Sequence, residues 1–462
     1  MAPSKKRARG TASRRPVRPA IRRKHDFYKS GYENGYQTGM QLGTTSYGSL
    51  FDGTSIIIPT FNQLAYLKTC LESIVDHTDL PYEIIVVDNA STDGTAEFLQ
   101  SLSGQIRYRI METNRGFAGA TNIGLMMAKG RTLLLLNNDT LVTERWLDNL
   151  LVCLNSDPRI GMVGPVTNYC SGTQQIEVPY AKVEEMPEFA RSFNVSDPAK
   201  WHLTDRLVGY CLLMRRELLE KTGYLDERYR IGNFEDDDYN IRVRLQGYML
   251  VIASDTFIHH FGSVTIKAQG DGMQAVNQDN EDQYSAKWGN PHELVHRVKE
   301  MVRIDPQSGQ ILPPLTDMQP VAGETAFYPQ SVAVRGVSEA VYWVENGVRR
   351  PVIGEPLFPV ARLSQLDMRR WPIGDAIPAE DAARRWLGIG EGEADIGQVS
   401  VIGIDGSLNV IEHGTRRRIT TLAAAESWGL LGKAARMLTQ EEWNAIPEGL
   451  PVIAPAQVAA NL

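Results

Sequence analysis

Four consecutive acids, Glu235, Asp236, Asp237 and Asp238, head a segment that continues Tyr239-Asn240-Ile241-Arg242-Val243-Arg244. Carboxylates at a helix N-terminus complement the dipole, which accounts for part of the run. Four in succession exceed what capping needs, and their repulsion asks for a cation or a raised pKa. Asp139 is a second candidate. It closes an apolar stretch in Leu136-Asn137-Asn138-Asp139-Thr140, where a lone carboxylate suits a hard cation. Asp88 ends another stretch, at a position where an acid either caps the next turn or meets a ligand. His259 and His260 end a third. A histidine at a strand end is often structural, but beside two acidic groups it becomes a candidate metal ligand. A site for a hard cation is the chemistry these side chains share.

The elements that must position them alternate between strand and helix. Residues 55–58 read as a buried strand ended by Pro59, and 83–87, 106–111 and 133–136 read as further strands. Leu64, Leu67, Leu71, Ile74 and Val75 share one helical face, and 117–128 forms another helix. Continuous Val/Ile/Leu strands joined by helices predict a mostly parallel sheet covered on both faces. Ligands of such sheets sit at the carboxyl ends of the strands. Pro59-Thr60-Phe61-Asn62, Asp88-Asn89 and Asn137-Asn138-Asp139 all fall there.

Charge and composition bound the rest. Residues 1–24 hold ten of the chain's 48 basic residues and none of its 55 acids, so the remainder is acidic. The arm, taken as 1–25, reads as a disordered tail or as an electrostatic tether to an anionic surface, with nothing in it that favours nucleic acid. No apolar run is long enough to span a membrane and none near Met1 resembles a secretory signal. Four cysteines without CxxC spacing fit a reducing, cytoplasmic compartment. Gly31, Gly35, Gly39 and Gly43 recur every four residues, and 26–52 reads as a short docking segment. After a catalytic domain at 53–305, a Pro-rich linker at 306–324 leads to an accessory module at 325–462. That module carries a weak repeat: Val344-Glu345-Asn346-Gly347-Val348-Arg349-Arg350 against Ile411-Glu412-His413-Gly414-Thr415-Arg416-Arg417. Each copy reads as a hairpin. The module holds five of the eight tryptophans, for core packing or as a stacking platform.

Seven segments in fixed order resemble the family 2 glycosyltransferases with the GT-A fold, especially their bacterial rhamnosyltransferase-like branch. They are IIIPTFN at 56–62, VVDNASTDGT at 86–95, NRGFAGATNIG at 114–124, LLNNDTLV at 135–142, VGYCLLMRRELLEKTGYLDE at 208–227, FEDDDYNIRVRLQGY at 234–248 and HHFGS at 259–263. The resemblance implies an α/β, GT-A type sheet flanked by helices, with the smaller α+β module appended. It implies an inverting transfer of a sugar from a UDP- or dTDP-sugar to a hydroxyl acceptor, with Mn2+ or Mg2+ as cofactor. Thr60 and Asn62 would lie around the base or ribose, and Asp88 would accept from the pyrimidine imide. Asn114, Gly116 and Asn122 would line the nucleotide-sugar pocket. Asn138 and Asp139 stand where the family has its DxD-type motif, with Asp139 binding the metal. Asn137 replaces the first acid, so charge attraction is weaker and the metal arrives with the donor. His260 would be the second ligand, with His259 in reserve, and Asp236 matches the family's base. The implied partners are a glycan, lipid-linked or protein acceptor in cell-surface polysaccharide assembly, a membrane surface met through the arm, and a second copy of the chain.

Two other readings compete. A non-catalytic sugar-nucleotide-binding scaffold on the same fold has no need of the acid run or the terminal histidines. A nucleotidyltransferase asks for a Gly-rich basic loop after the first strand, and Pro59-Thr60-Phe61-Asn62-Gln63 is not one.

Overall fold

The computed structural model describes residues 35, 48–262, 272–302, 323–389, 399–433, 435–459 and 461–462. The basic arm, most of the 26–52 segment and most of the 306–324 stretch lie outside the described residues. Phe51–Leu462 form one compact unit.

Its centre is an eight-stranded sheet. The strands are β1 (Phe51–Thr60), β2 (Tyr82–Asp88), β3 (Arg107–Ile110), β4 (Gly130–Leu136), β6 (Ile160–Val166), β7 (Trp201–Thr204), β8 (Cys211–Arg215) and β9 (Met249–Phe257), in the order β3-β2-β1-β4-β8-β6-β9-β7. β8 and β7 run antiparallel to their neighbours; the other pairings are parallel. This is the mostly parallel α/β sheet, flanked by helices, that the sequence predicted.

The apolar runs are continuous because both faces are covered. Ile57, Ile85, Val87, Leu133 and Leu135 pack into one core with the helix Gly116–Met127. Ile56, Ile58, Ile84, Val86, Leu134 and Leu136 pack into the other, against the helices Leu64–His77 and Trp146–Ser156. Alternate side chains of one strand thus serve opposite layers. A Cβ on Gly124 would fall 2.3 Å from Ile57 Cγ2, so only glycine lets that helix lie so close.

Register brings the polar strand ends level. Thr60 pairs with Asp88, and Asp88 with Ile110. Beyond β4, the two-residue strand β5 (Thr140–Leu141) pairs antiparallel with β10 (His259–His260), matching His260 to Thr140. This short ladder joins Asp139 to the histidine pair.

The C-terminal part holds two small sheets. One orders β11 (Val332–Arg335), β12 (Val341–Glu345), β13 (Val348–Ile353), β14 (Val360–Arg362) and β15 (Ile377–Pro378) as β14-β11-β12-β13-β15. The other orders β16 (Val399–Ile402), β17 (Leu408–Glu412), β18 (Thr415–Arg418) and β19 (Arg436–Met437) as β18-β17-β16-β19. The repeat is real in space. Asn346-Gly347 and His413-Gly414 turn matching hairpins with positive φ at both central residues, as a type I′ turn requires. Ser364 and Thr421 cap matching short helices. Trp371 and Trp428, which follow those helices, are buried around Tyr328, at ring centroid distances of 6.2 and 4.9 Å.

This part shares a core with the sheet domain. Ile241, Leu245, Trp288, Val295 and Val298 pack in one cluster with Phe327, Tyr328, Trp371, Trp428 and Val452. The chain's end returns as well: Glu227 N donates to Gln457 O at 2.8 Å, and Leu462 is buried in the first core.

Candidate active site

A cavity of about 640 Å³ opens at the carboxyl ends of β1, β2 and β4. Thr60, Asn114, Asn138, Asp139, Asp236 and His260 all line it.

Asp139 and His260 meet there. The His260 Nδ1 lies 2.8 Å from the Tyr169 carbonyl oxygen, so that nitrogen carries the proton and donates. Nε2 keeps its lone pair, is buried and has no hydrogen-bond partner. It faces Asp139 Oδ1 at 3.2 Å. Two electron-rich atoms so placed call for positive charge, from a second proton on the ring or from a cation. Adjacent ligands of an ion with bonds near 2.1 Å stand about 3 Å apart, so the pair fits two sites of a divalent ion. Among the described residues no cluster of three or more His, Cys, Asp or Glu forms a full metal cage. An ion held here therefore takes its other ligands from water or substrate, the habit of Mg2+ at phosphates. The ring is fixed on every side. Tyr210 stacks on it at 5.3 Å and 14°, and Asn168 pairs with its backbone N–H and carbonyl at 2.9 and 3.1 Å. His259 turns away: its Nδ1 meets Tyr180 Oη at 2.7 Å, and burial, then the neighbouring His260, pushes its pKa down to about 4.

The acidic run opens the helix Glu235–Leu245 and divides by direction. Glu235 and Asp236 line the cavity. Asp237 pairs with Arg206 outside it. Asp238 is fully buried beneath, accepting from Lys287 Nζ at 2.6 Å and Trp288 Nε1 at 2.8 Å. Asp236 accepts backbone N–H bonds from Gly209 at 2.8 Å and Asp237 at 2.9 Å. Burial, and then Asp237, lift its pKa to about 6, against the pull of Arg206 and those N–H groups. Burial and then Asp236 push Glu235 well above the carboxylate range. The dipole reading thus explains little of the run, since each acid has its own environment.

Below the site lies a balanced ion network. Lys287 bridges Asp238 and Asp226, Arg228 pairs with Asp226 at 2.8 Å, and Arg242 pairs with Glu324 at 2.8 Å. The side chains of all three cations and all three anions are at most 9% exposed. Burial would raise Asp226, but Lys287 and then Arg228 hold it at about 2. Glu324 comes from the C-terminal part, so that part helps seat the acidic helix.

The remaining expected residues sort into those at the cavity and those that brace it. Asn138 Nδ2 donates to Thr60 Oγ1 at 2.8 Å, tying the ends of β4 and β1. Asn114 Oδ1 accepts from Asn89 Nδ2 at 2.9 Å and Gly116 N at 2.8 Å. Asp88 is fully buried: Oδ1 caps Ser91 N at 3.0 Å, and Oδ2 has no hydrogen-bond partner. Of the two alternatives open at this position in the sequence, the cap is the one visible on Oδ1, and Asp88 itself does not line the cavity. Asn62, at φ 55°, does not line the cavity; its Oδ1 accepts from Thr92 N at 2.9 Å and stitches two loops. Gly116, at φ +71°, lies beneath Ile231, whose nitrogen a Cβ would meet at 2.9 Å. Asn122 is fully buried away from the cavity. Its amide spans Leu225 O and Glu227 Oε1, both at 2.9 Å, so it is a strut.

Comparison with known proteins bears on the family rather than on the individual site residues. The model for glycosyl transferase family 2 matches residues 55–223, which contain Asp88, Asn138 and Asp139. This region belongs to that family. Chondroitin synthase of Pasteurella multocida is 26% identical over 238 residues, covering 45% of this chain and 24% of that protein. The O-antigen biosynthesis protein RfbC of Myxococcus xanthus is 27% identical over 231 residues, covering 46% and 18%. The glycosyltransferase AglE of Haloferax volcanii is 31% identical over 214 residues, covering 45% and 66%. The chain spans about a quarter of the length of the first curated relatives it matches.

Several residues of this site escape sequence reasoning. Asn89 looks like a turn residue, yet it clamps the loop of Asn114 and Gly116. Tyr210 and Asn168 carry no spacing signal for holding His260. The cavity wall at Ile231 and Asn233 has φ of 64° and 75°, with Phe234 at 74°, strain that a sequence cannot announce for a β-branched residue. Asn280, fully buried, holds that loop through Arg230 N, Arg230 O and Gly232 O, each at 2.9 Å.

Proposed function

We propose that the chain is an inverting glycosyltransferase that moves a sugar from a nucleoside diphosphate to an acceptor hydroxyl. One observation carries the reading: Asp139, His260 and Asp236, far apart in sequence, line one cavity at the strand ends. The buried, unpartnered Asp88 Oδ2 suits the ring N–H of uracil or thymine. Thr60, Asn138 and Asn114 supply polar atoms along the cavity wall. Asp139 Oδ1 and His260 Nε2 would hold a divalent ion, Mn2+ or Mg2+, which when bound neutralises charge on the leaving diphosphate. Asp236, ionised above about pH 6, takes the proton from the acceptor hydroxyl. That oxygen bonds to the anomeric carbon as the bond to the diphosphate oxygen breaks, so the configuration inverts. Relatives named for chondroitin synthesis and O-antigen biosynthesis support an acceptor in cell-surface polysaccharide assembly.

The test combines binding with product analysis. UDP-glucose, UDP-N-acetylglucosamine and dTDP-rhamnose, each with Mn2+ or Mg2+, are screened for a rise in melting temperature, since a ligand of the folded state stabilises it. The best donor is then assayed for release of nucleoside diphosphate. Pyrophosphate in its place would assign a nucleotidyltransferase, and tight binding with no turnover a scaffold. No helix among the described residues is long and apolar enough to cross a membrane. The basic arm is proposed to meet an anionic membrane, and sedimentation with phosphatidylserine vesicles that weakens with salt would support it.

A further inference from the structure

We propose that Glu235 is a hydrogen-bond donor in the cavity, its carboxyl O–H directed to a hydroxyl oxygen of a bound sugar. The inference rests on the glycosyltransferase reading of the same cavity. Glu235 is the first residue of its helix, 5% exposed, and lines the cavity beside Asp236. Its Oε2 is buried without a hydrogen-bond partner. Two adjacent carboxyl groups therefore have unlike surroundings, although the Glu235 carboxyl also meets its own backbone N–H. Asp236 receives two backbone N–H bonds, which favour the ionised form. The Oε2 atom of Glu235 receives none.

The cations nearby are already committed. Arg206 is taken by Asp237, Lys287 by Asp226 and Asp238, and Arg242 by Glu324 and Asp238. On its own helix Glu235 faces Asp236, Asp237 and Asp238, each disfavouring a further negative charge. His260 lines the same cavity and is directed at Asp139. A buried carboxyl in that setting keeps its proton, and a neutral acid can donate. Pairs whose surroundings push their proton affinities apart divide the roles of donor and base between them. Asp236 is then the group that accepts a proton, and Glu235 the group that reads an oxygen. A sugar carrying a hydroxyl at that point is held; a deoxy sugar leaves the buried O–H unpaired and is discriminated against.

Glu235→Gln keeps a donor of the same shape, and Glu235→Leu removes it. Infrared spectra of the apo protein at pH 7 should show a protonated-carboxyl C=O band that Asp236→Asn retains and Glu235→Gln abolishes. In initial-rate assays with UDP-glucose and Mn2+, Glu235→Gln should fall several-fold in kcat/KM. Glu235→Leu should fall a further 10- to 100-fold, on the order expected for losing one buried hydrogen bond. The loss appearing in donor hydrolysis without acceptor places the contact on the donor sugar; its appearance only with acceptor places it on the acceptor. No such band, or a band that survives Glu235→Gln, overturns the proposal, as does Glu235→Gln being as damaged as Glu235→Leu. If the wild type releases nucleoside diphosphate from none of the three sugars, the transferase reading fails, while the infrared band still decides the proton on Glu235.

Discussion

In Asp236→Asn the carboxylate that faces the cavity becomes an amide of the same shape that takes no proton. Transfer should drop about 10²- to 10⁴-fold, the usual size of a lost general base. Stability should move the other way. The Asp236 carboxyl has its pKa raised to about 6 by burial and Asp237, against about 3.9 when unfolded. An acid whose folded pKa is raised disfavours the fold once ionised. The penalty is absent below about pH 4, grows through the window and is complete above about pH 6. Two pKa units correspond to roughly 3 kcal/mol. The amide gives back about 1 kcal/mol, because its NH2 cannot accept from Asp237 N as Oδ1 does at 2.9 Å. Asp236→Asn should therefore be roughly 2 kcal/mol more stable than the wild type at pH 8, with no gain near pH 4. Urea unfolding at the two pH values measures this, and nucleoside diphosphate release from pH 5 to 8 measures the catalytic side. The wild-type rate should fall through about pH 6, to roughly a tenth at pH 5. Lower stability of Asp236→Asn at pH 8, a wild-type rate flat to pH 5, or an equal catalytic loss in Asp237→Asn would each refute the reasoning.

Asp139→Ala and His260→Ala should each abolish the divalent-dependent part of the donor's thermal shift. His259→Ala should keep it while lowering the melting temperature, because it breaks the bond to Tyr180; equal loss in both histidine variants would mean that the ring facing Asp139 is not special. Glu324→Ala leaves the buried Arg242 guanidinium with Asp238 at 3.6 Å as its remaining carboxylate and should cost about 1–3 kcal/mol in urea unfolding, and a cost below about 0.5 kcal/mol would mean that water or a neighbour replaces the partner. A chain ending at residue 322 uncovers the faces of Ile241, Leu245, Trp288, Val295 and Val298. It should bind a hydrophobic dye and melt without a cooperative transition, whereas a sharp transition near the full-length temperature would establish 53–305 as a domain that stands alone.

Most of the sheet was legible because its physics is local. The runs at 55–58, 83–87 and 133–136 carry apolar side chains for both layers, and each grew by a few residues into β1, β2 and β4. The turn at Asn346-Gly347 announced its hairpin for the same reason: two adjacent residues tolerant of positive φ set the chain reversal. The site was legible by type and only partly by role. Asp139, His260 and Asp236 reach one cavity, whereas Asn122 and Asn62 brace loops from behind it. Nothing in a one-dimensional pattern separates an asparagine that meets a ligand from one that meets a backbone carbonyl. The same limit hid the sorting of the acid run. Adjacent helical positions differ by about 100°, but which direction holds a cavity, Arg206 or Lys287 depends on segments 30 to 50 residues away.

The C-terminal part is where local patterning and tertiary structure diverge most, and the divergence bears on function. Its Pro-rich approach and internal repeat describe a separate body, yet Glu324, Gln457 and Leu462 reach into the sheet domain. The contacts fall on one region. Glu324 holds Arg242 of the acidic helix, Gln457 N meets Asp226 at 3.1 Å, and Arg228 donates to Pro455 O at 3.1 Å. Those partners border the Arg230–Phe234 turn, where two of three positive-φ residues, Ile231 and Asn233, line the cavity and the third, Phe234, leads into Glu235. A backbone in that conformation relaxes unless its surroundings over-determine it. Asn280 supplies part of that constraint, and Lys287, two turns further along the same helix, supplies another part. The family match ends at residue 223, before any of these groups. The matched region thus carries Asp139, while the shape of the cavity on the Asp236 side depends on residues that come after it.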